Sequence, residues 1–187
     1  MIFELNNAVL DVSRHPLSLM ATEGQLTCLT GSEPALLTRW LMAMMGFESV
    51  AGGFICIDGE PLSADTAPAF RQLMAYAPAR LERVGELEPQ EPPSPETVFH
   101  LRRNRNQPIT DAVLAAEIRR IGDHDNNPQV QLLAVAALLG TPIVVADQPT
   151  PVAATYLRSL ADSGRLLLVA THDEAILNEA DQIISVC

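Results

Sequence analysis

Several polar residues stand at the ends of apolar runs, where their chemistry suits an anion or a metal ion. Gly31 and Ser32 end one such run just before an apolar helical stretch, and a helix N-terminus is a generic anion site. Within that stretch, Thr38 carries a hydroxyl group and Arg39 carries a positive charge. Asp147 ends a second apolar run with a carboxylate. The helix N-terminus after Ser32 could therefore bind a small anion.

All 12 cationic side chains are arginines, so the chain contains no lysine. Lysine is the side chain that normally meets the β- and γ-phosphates of a nucleotide bound by a glycine-rich phosphate loop. Whatever this protein binds, it cannot hold the phosphates of ATP with such a lysine.

Alternating apolar strands and helices are predicted to position these residues. The expected strands are 3–12, 25–30, 52–59, 72–77, 142–147, 165–170 and 182–186, and the expected helices are 35–45, 110–121, 129–139, 153–161 and 173–179. The runs before Asp147 and Ala170 are unbroken and apolar, as in strands buried on both faces. Buried strands that alternate with helices predict an α/β fold around a parallel sheet.

Length and composition predict one domain spanning residues 1–187, because 187 residues and 20.2 kDa suit a single core. Residues 1–85 and 141–187 should form the α/β core, and about 86–140 an acidic, proline-rich connector with a helical subdomain. The net charge of -11 argues against binding to nucleic acid or anionic lipid. Three scattered cysteines argue against a disulfide framework or a zinc site, and residues 1–7 resemble no signal peptide.

Five segments in order resemble the ATP-binding subunits of ABC transporters along nearly the whole chain. They correspond to that family's strand before the P-loop, its "SGxIxxDG" segment, its Walker B strand, its switch-histidine segment and its closing strand: 22–31, 46–59, 138–150, 167–173 and 180–184. The resemblance implies a P-loop NTPase-like parallel sheet flanked by helices, with a small antiparallel β region and a short helical subdomain. It also implies that Gly31, Ser32, Thr38 and Arg39 correspond to residues that bind nucleotide. Thr38 and Asp147 correspond to those that hold magnesium.

The phosphate loop departs from the family pattern GxxGxGKST. Leu37 stands in place of the lysine, and Pro34 and Leu36 stand in place of glycines. Proline has no N–H to donate, and Glu33 adds negative charge near a site meant for a polyanion. A plain structural interpretation is an ordinary turn that is capped by Ser32 and followed by a helix beginning at Pro34.

The remaining motifs depart as well. Residues 124–128 align with the LSGGQ signature without its glycines, and Ala79 stands where the Q-loop glutamine is expected. Gln148 replaces the catalytic glutamate, and a carboxamide cannot take a proton from water near neutral pH. His172 keeps the switch position, although a histidine there serves equally well at a strand–helix junction that Asp173 caps. Gln148 and His172 are thus vestigial candidates for the catalytic residues.

Three hypotheses follow from this pattern. The first is a degenerate ABC-type subunit that hydrolyses no ATP, has no cofactor, and is a structural or regulatory partner in a transport complex. The second is a nucleotide-binding subunit with weak ATPase activity, with ATP and magnesium as ligands, paired with an intact partner. The third is a sensor or enzyme for a smaller anion at the helix after Ser32.

The resemblance also implies protein partners and a location. We expect a homo- or heterodimer with another ABC ATPase-like chain, in contact with a membrane subunit. No nucleic-acid partner and no direct membrane insertion are expected. The expected location is the cytoplasm, peripheral at the inner face of the cell membrane.

Overall fold

A computed structural model describes residues 1–11, 15–79, 109–122 and 127–186, and it contains two sheets. The strands are β1 Ile2–Val9, β2 Leu17–Thr22, β3 Leu26–Thr30, β4 Gly52–Ile57, β5 Glu60–Pro61, β6 Met74–Ala77, β7 Ile143–Asp147, β8 Leu166–Ala170 and β9 Gln182–Ser185. The helices are α1 Pro34–Met44, α2 Ala67–Gln72, α3 Asp111–Ile121, α4 Pro128–Leu138, α5 Ala154–Asp162 after a 3₁₀ turn Pro151–Ala153, and α6 Glu174–Leu177.

The larger sheet is parallel, with strand order β6-β7-β8-β3-β9. Every residue of β7 and β8 is buried, as their unbroken apolar runs predict for strands covered on both faces. The predicted α/β class with a parallel sheet and flanking helices is therefore confirmed.

The smaller sheet is antiparallel, with order β2-β1-β4-β5. Side chains alternate between its two faces along β1, where Phe3 and Leu5 are buried and Glu4 between them is only half-buried. The pairing of β1 with β4 shifts register after Asn6. Gly53 lies opposite this shift with φ of +70°, and a Cβ there would lie 2.1 Å from the Asn7 carbonyl oxygen, so only glycine fits.

Two hydrophobic clusters cover the two faces of the parallel sheet. One lies between the two sheets and contains Trp40 with Leu166 and Leu168, whereas the other lies under α4 and α5 and contains Leu167 and Val169. Because successive residues of β8 belong to opposite clusters, one strand anchors both halves of the core.

Most predicted elements exist with ends shifted by a few residues, and three short elements were not predicted. These are β2, the two-residue strand β5 and the six-residue helix α2, which ends where a strand was expected to begin. Caps define the helices in the predicted subdomain: the Thr110 hydroxyl accepts from the Val113 N–H at 3.3 Å, and the Asn127 side chain accepts from the Gln129 N–H at 2.9 Å. The predicted acidic connector lies almost wholly outside the described residues.

Among the described residues, no helix is long and apolar enough to cross a membrane.

Candidate functional site

The carboxyl ends of the parallel strands bring the predicted site residues to one edge of the sheet. Gly31 follows β3, Asp147 ends β7, and His172 follows β8 closely. Since parallel strands all end at the same edge, this is where α/β sheets bind ligands.

Asp147 is the buried carboxylate at this edge, with 3% of its surface exposed. Its Oδ2 accepts a hydrogen bond from the Thr38 hydroxyl at 2.8 Å and another from the Tyr76 hydroxyl at 3.2 Å. The structure therefore joins the two predicted magnesium ligands, Thr38 on α1 and Asp147 on β7, by their own hydrogen bond. Tyr76 adds a third side chain from β6, so one carboxylate oxygen connects two strands and a helix.

The segment aligned with the phosphate loop is wound into the first turn of α1. The N–H groups of Leu36 and Leu37 both donate to the Glu33 carbonyl oxygen, at 3.0 and 3.2 Å. Pro34 has no N–H to donate, and the Leu37 side chain is fully buried in the core between the two sheets. In this arrangement the segment points neither a cation nor those two amides toward a ligand.

Helix α1 is capped differently from the plain structural interpretation. Glu33, rather than Ser32, occupies the N-cap position, and its side chain makes no capping hydrogen bond. Ser32 is exposed, and Pro34 begins the helix as predicted.

Gly31 is packed against the chain that follows β9. A Cβ at position 31 would lie 2.5 Å from the Val186 carbonyl oxygen, which is shorter than real contacts allow. The Val186 N–H donates in turn to the Thr30 carbonyl at 2.8 Å, which fixes that backbone beside the loop. Glycine is thus required at position 31 by close packing of two backbones.

Arg39 is held by two carboxylates. Its guanidinium donates to the Asp11 carboxylate at 2.8 Å and to Glu48 through Nε at 3.1 Å, with a second contact from Nη2 to Glu48. The hydrogen bonds to Glu48 and then to Asp11 raise the pKa of Arg39 above its ordinary value. The cation predicted to replace the lysine therefore ties α1 to the loop after it and to the end of β1.

Gln148 has a left-handed backbone, with φ of +48°, and its N–H donates to the Ala170 carbonyl at 2.8 Å. Its side-chain Nε2 is buried and has no hydrogen-bond partner. His172 is exposed, while the neighbouring Asp173 accepts from the Ala175 and Ile176 N–H groups at 2.9 and 3.3 Å and caps α6 as predicted.

The position aligned with the Q-loop glutamine is connected to α4. The Ala79 carbonyl accepts a hydrogen bond from the Gln129 side chain, so the end of β6 contacts the first turn of α4. Residues 123–126, which include most of the segment aligned with the signature, lie outside the described residues.

Three residues of the site were missed by sequence reasoning. Tyr76 was noted only as a marker before Ala79, and Asp11 and Glu48 were not considered. Their partners lie 71, 28 and 9 residues away in sequence, so only the excess of acidic residues over arginine hinted that Arg39 would be neutralised.

The two sheets and their flanking helices have the fold of an ABC transporter ATP-binding cassette. No protein-family model matches the sequence, and no curated protein matches it. Solved structures do: a putative ABC transporter ATP-binding protein from Pyrococcus furiosus is 11% identical, with a TM-score of 0.73, over 100% of this chain and 98% of that one.

Two further structures show the same fold. A dimeric bacterial ABC transporter cassette is 16% identical, with a TM-score of 0.68, over 100% of this chain and 94% of that chain. A component of the ABC transporter complex cbiONQ from Clostridium perfringens is 12% identical, with a TM-score of 0.62, over 98% and 84%. At these identities the likeness establishes the fold alone.

Proposed function

We propose that the chain is a degenerate subunit of the ABC ATP-binding type that hydrolyses no ATP and is a structural or regulatory partner in a transport complex. The observation that carries the proposal is the first turn of α1. There, the amides of Leu36 and Leu37 bond to Glu33, and the Leu37 side chain is buried in the core. The phosphates of a nucleotide need N–H donors and a cation at this point. Here the two N–H groups and the Leu37 side chain stabilise the fold of the protein itself.

The chemistry beyond phosphate binding supports the same proposal. Oδ2 of Asp147 accepts hydrogen bonds from Thr38 and Tyr76, so magnesium bound at this oxygen would have to compete with two hydroxyl groups. Gln148 follows Asp147 where a general base would stand, and a carboxamide does not accept a proton near neutral pH. Binding and proton transfer are both disfavoured by residues of this chain.

The partner we propose is a second ABC ATPase-like chain together with a membrane subunit, at the inner face of the cell membrane. The fold neighbours support this assignment, since one is described as a dimeric cassette and another as part of the complex cbiONQ. A subunit with no chemistry of its own would contribute by completing the geometry of an intact partner.

The alternative is a nucleotide-binding subunit with weak ATPase activity that is paired with an intact chain. It is favoured by one observation, the contact between Thr38 and Asp147, because both predicted magnesium ligands lie at one point. It requires Arg39 to exchange Asp11 and Glu48 for a phosphate group.

Calorimetric titration of the purified chain with ATP and magnesium separates the two functions, with an intact ABC cassette titrated alongside. We expect no binding heat up to millimolar nucleotide. Micromolar binding that Arg39→Gln abolishes, and that the exposed-cation variant Arg119→Gln leaves intact, would establish the alternative in its place.

A further inference from the structure

The outer face of the antiparallel sheet carries a patch of exposed apolar side chains. Ile2, Met20 and Phe54 are 43, 58 and 46% exposed, and all three belong to this sheet. Neighbouring residues on a strand point to opposite faces, and Phe3, Ala21 and Ile55 are buried in the core, so the three apolar side chains share the outer face. Exposed apolar groups gathered on one face mark an interaction surface.

Glu4 lies at the centre of this face. It is opposite Met20 on one side and Cys56 on the other, and it is two residues from Ile2 along β1. Directly opposed residues have Cβ atoms about 5 Å apart, so the Met20 and Cys56 side chains lie within contact range of Glu4. We call Ile2, Glu4, Met20 and Phe54 the sheet-face patch.

The Glu4 carboxylate is half-buried and has only weak partners. The Asn6 amide donates to it at 3.4 Å, and the Cys56 thiol at 3.7 Å, which are long contacts. In the described part of the chain, none of the ion pairs includes Glu4. A carboxylate beside apolar groups is stabilised most by a cation, and the described residues of this face supply none.

We infer that the sheet-face patch binds a protein partner through a segment that places one lysine or arginine on Glu4, with apolar side chains over Ile2, Met20 and Phe54. Charge complementarity identifies the occupant, because a neutral apolar segment would bury the Glu4 charge without compensation. A chain with net charge of -11 would also attract a basic partner over a distance.

Residues beside the sheet-face patch limit where the partner's cation can lie. Phe54 also lines an open groove of about 440 Å³ that contains Phe47, which is 63% exposed. The Arg71 guanidinium lies 4.9 Å from the Phe47 ring, so the far end of this apolar surface already has a cation. The partner's cation therefore belongs over Glu4, between its apolar groups, and not at the Phe47 side of this surface.

This inference does not depend on whether the chain binds nucleotide, because the patch shares no residue with the edge of the parallel sheet. Selection from a phage-displayed library of random dodecapeptides tests it, with the full chain and its Glu4→Lys variant as parallel targets. We expect the natural chain to enrich peptides that carry a lysine or arginine between apolar residues. The variant should enrich aspartate or glutamate at that place.

A selected peptide should then lose about tenfold or more in affinity for Glu4→Gln and for Met20→Ser. Val113→Ser removes another exposed apolar side chain, 44% exposed on α3, and should leave affinity unchanged. All three substituted positions are solvent-accessible, and matching thermal unfolding curves will show that each of the four variants folds.

Three results would overturn the inference. The first is the absence of enrichment, or enrichment that is the same for both targets. The second is a dimer in sedimentation velocity that Met20→Ser dissociates, which would assign the patch to a second copy of the chain. The third is flotation with phosphatidylcholine vesicles that Met20→Ser abolishes, which would assign it to a lipid surface.

Discussion

Leu37 shows how a single side chain decides what the phosphate-loop segment can do. It is fully buried among apolar residues of α1 and both sheets, so its contribution is to the core. A side chain at this position cannot serve the core and a ligand at the same time.

Leu37→Lys restores the lysine of the family pattern and should destabilise the protein rather than create a nucleotide site. An unpaired ammonium in an apolar core costs several kcal/mol, and we expect a loss of about 3–5 kcal/mol in the free energy of unfolding. Urea denaturation measures it, with Leu37→Met as the volume-matched control, which should lose less than about 1.5 kcal/mol. A Leu37→Lys protein as stable as the natural chain, with ATP bound, would contradict this account of the loop.

Tyr76→Phe removes one of the hydroxyls that satisfy Asp147. A hydrogen bond to a buried carboxylate contributes about 1.5–3 kcal/mol, so the free energy of unfolding should fall by that amount. Thr38→Val should have a similar effect, and Thr38→Ser, which keeps the hydroxyl, should have little. Unchanged stability for Tyr76→Phe would mean that Asp147 does not depend on this contact.

At the scale of elements, Arg158 ties α5 to the starts of β3 and β9. Its guanidinium donates to the Gly24 carbonyl at 3.0 Å and to Asp181 at 2.7 Å, while Asp181 also accepts from the Leu26 N–H at 2.8 Å. Burial acts to raise the pKa of Asp181, but the Leu26 amide and Arg158 outweigh it and hold that pKa below its usual range.

This lowered pKa has a defined consequence for stability against pH. A carboxylate whose folded pKa is lowered stabilises the fold above its unfolded pKa, and the stabilisation is lost as pH falls through the folded value. Asp181→Asn should therefore be less stable at neutral pH, and its stability should fall less between about pH 5 and pH 2. Asp162→Asn, a change to an exposed partner of the same arginine, should keep the natural profile. Parallel pH profiles for the natural chain and Asp181→Asn would contradict this assignment.

A second link joins α3 to α5. The Tyr156 hydroxyl donates to Glu117, which is 9% exposed, and Arg120 donates to both oxygens of Glu117 at 3.0 Å. Burial, and then Glu117, raise the pKa of Tyr156 above its ordinary value, so the phenol stays protonated as the donor.

Tyr156→Phe should loosen α3 without unfolding the sheets. Glu117 would keep only the donor from its own helix, so we expect a loss of about 1–3 kcal/mol and faster amide exchange in α3 than in β7 or β8. Hydrogen–deuterium exchange measures the difference, with the exposed Arg119→Gln as control on the same helix. Equal acceleration in α3 and the sheet would show that the link stabilises the whole fold instead.

Elements were predictable from sequence where one physical signal acted alone. The apolar runs located β7 and β8 to within one residue, since a strand buried on both faces has no competing pattern. Strand β2 was missed because Met20 on its outer face breaks the alternation of apolar and polar residues. Helix α2 has only six residues, too few for helical periodicity to emerge.

The site was predictable only in part for a different reason. The resemblance selected Thr38 and Asp147, which the structure brings into contact, although they lie 109 residues apart. The partners of Arg39 and the role of Tyr76 depend on contacts between distant segments, which no local pattern specifies. The winding of residues 34–37 into α1 was anticipated only by Pro34 at the helix start.

For the whole molecule, the two hydrophobic clusters should unfold together. Leu168 belongs to one cluster and Leu167 to the other. Neither cluster can therefore unfold while β8 stays folded. The single tryptophan, Trp40, reports on one cluster by fluorescence, whereas circular dichroism reports on every helix. The two urea transitions should coincide. Two separate midpoints would mean that the clusters are independent units.

Gly31 has a consequence for how such sequences are interpreted. Its place beside Val186 leaves no room for a side chain whether or not any phosphate is present. A motif search would assign this glycine to nucleotide binding. The close packing of two backbone segments requires it instead. Gly31→Ala should therefore destabilise the fold even when no ligand binds. The presence of glycine at this position does not indicate whether the neighbouring residues can still bind or hydrolyse a nucleotide.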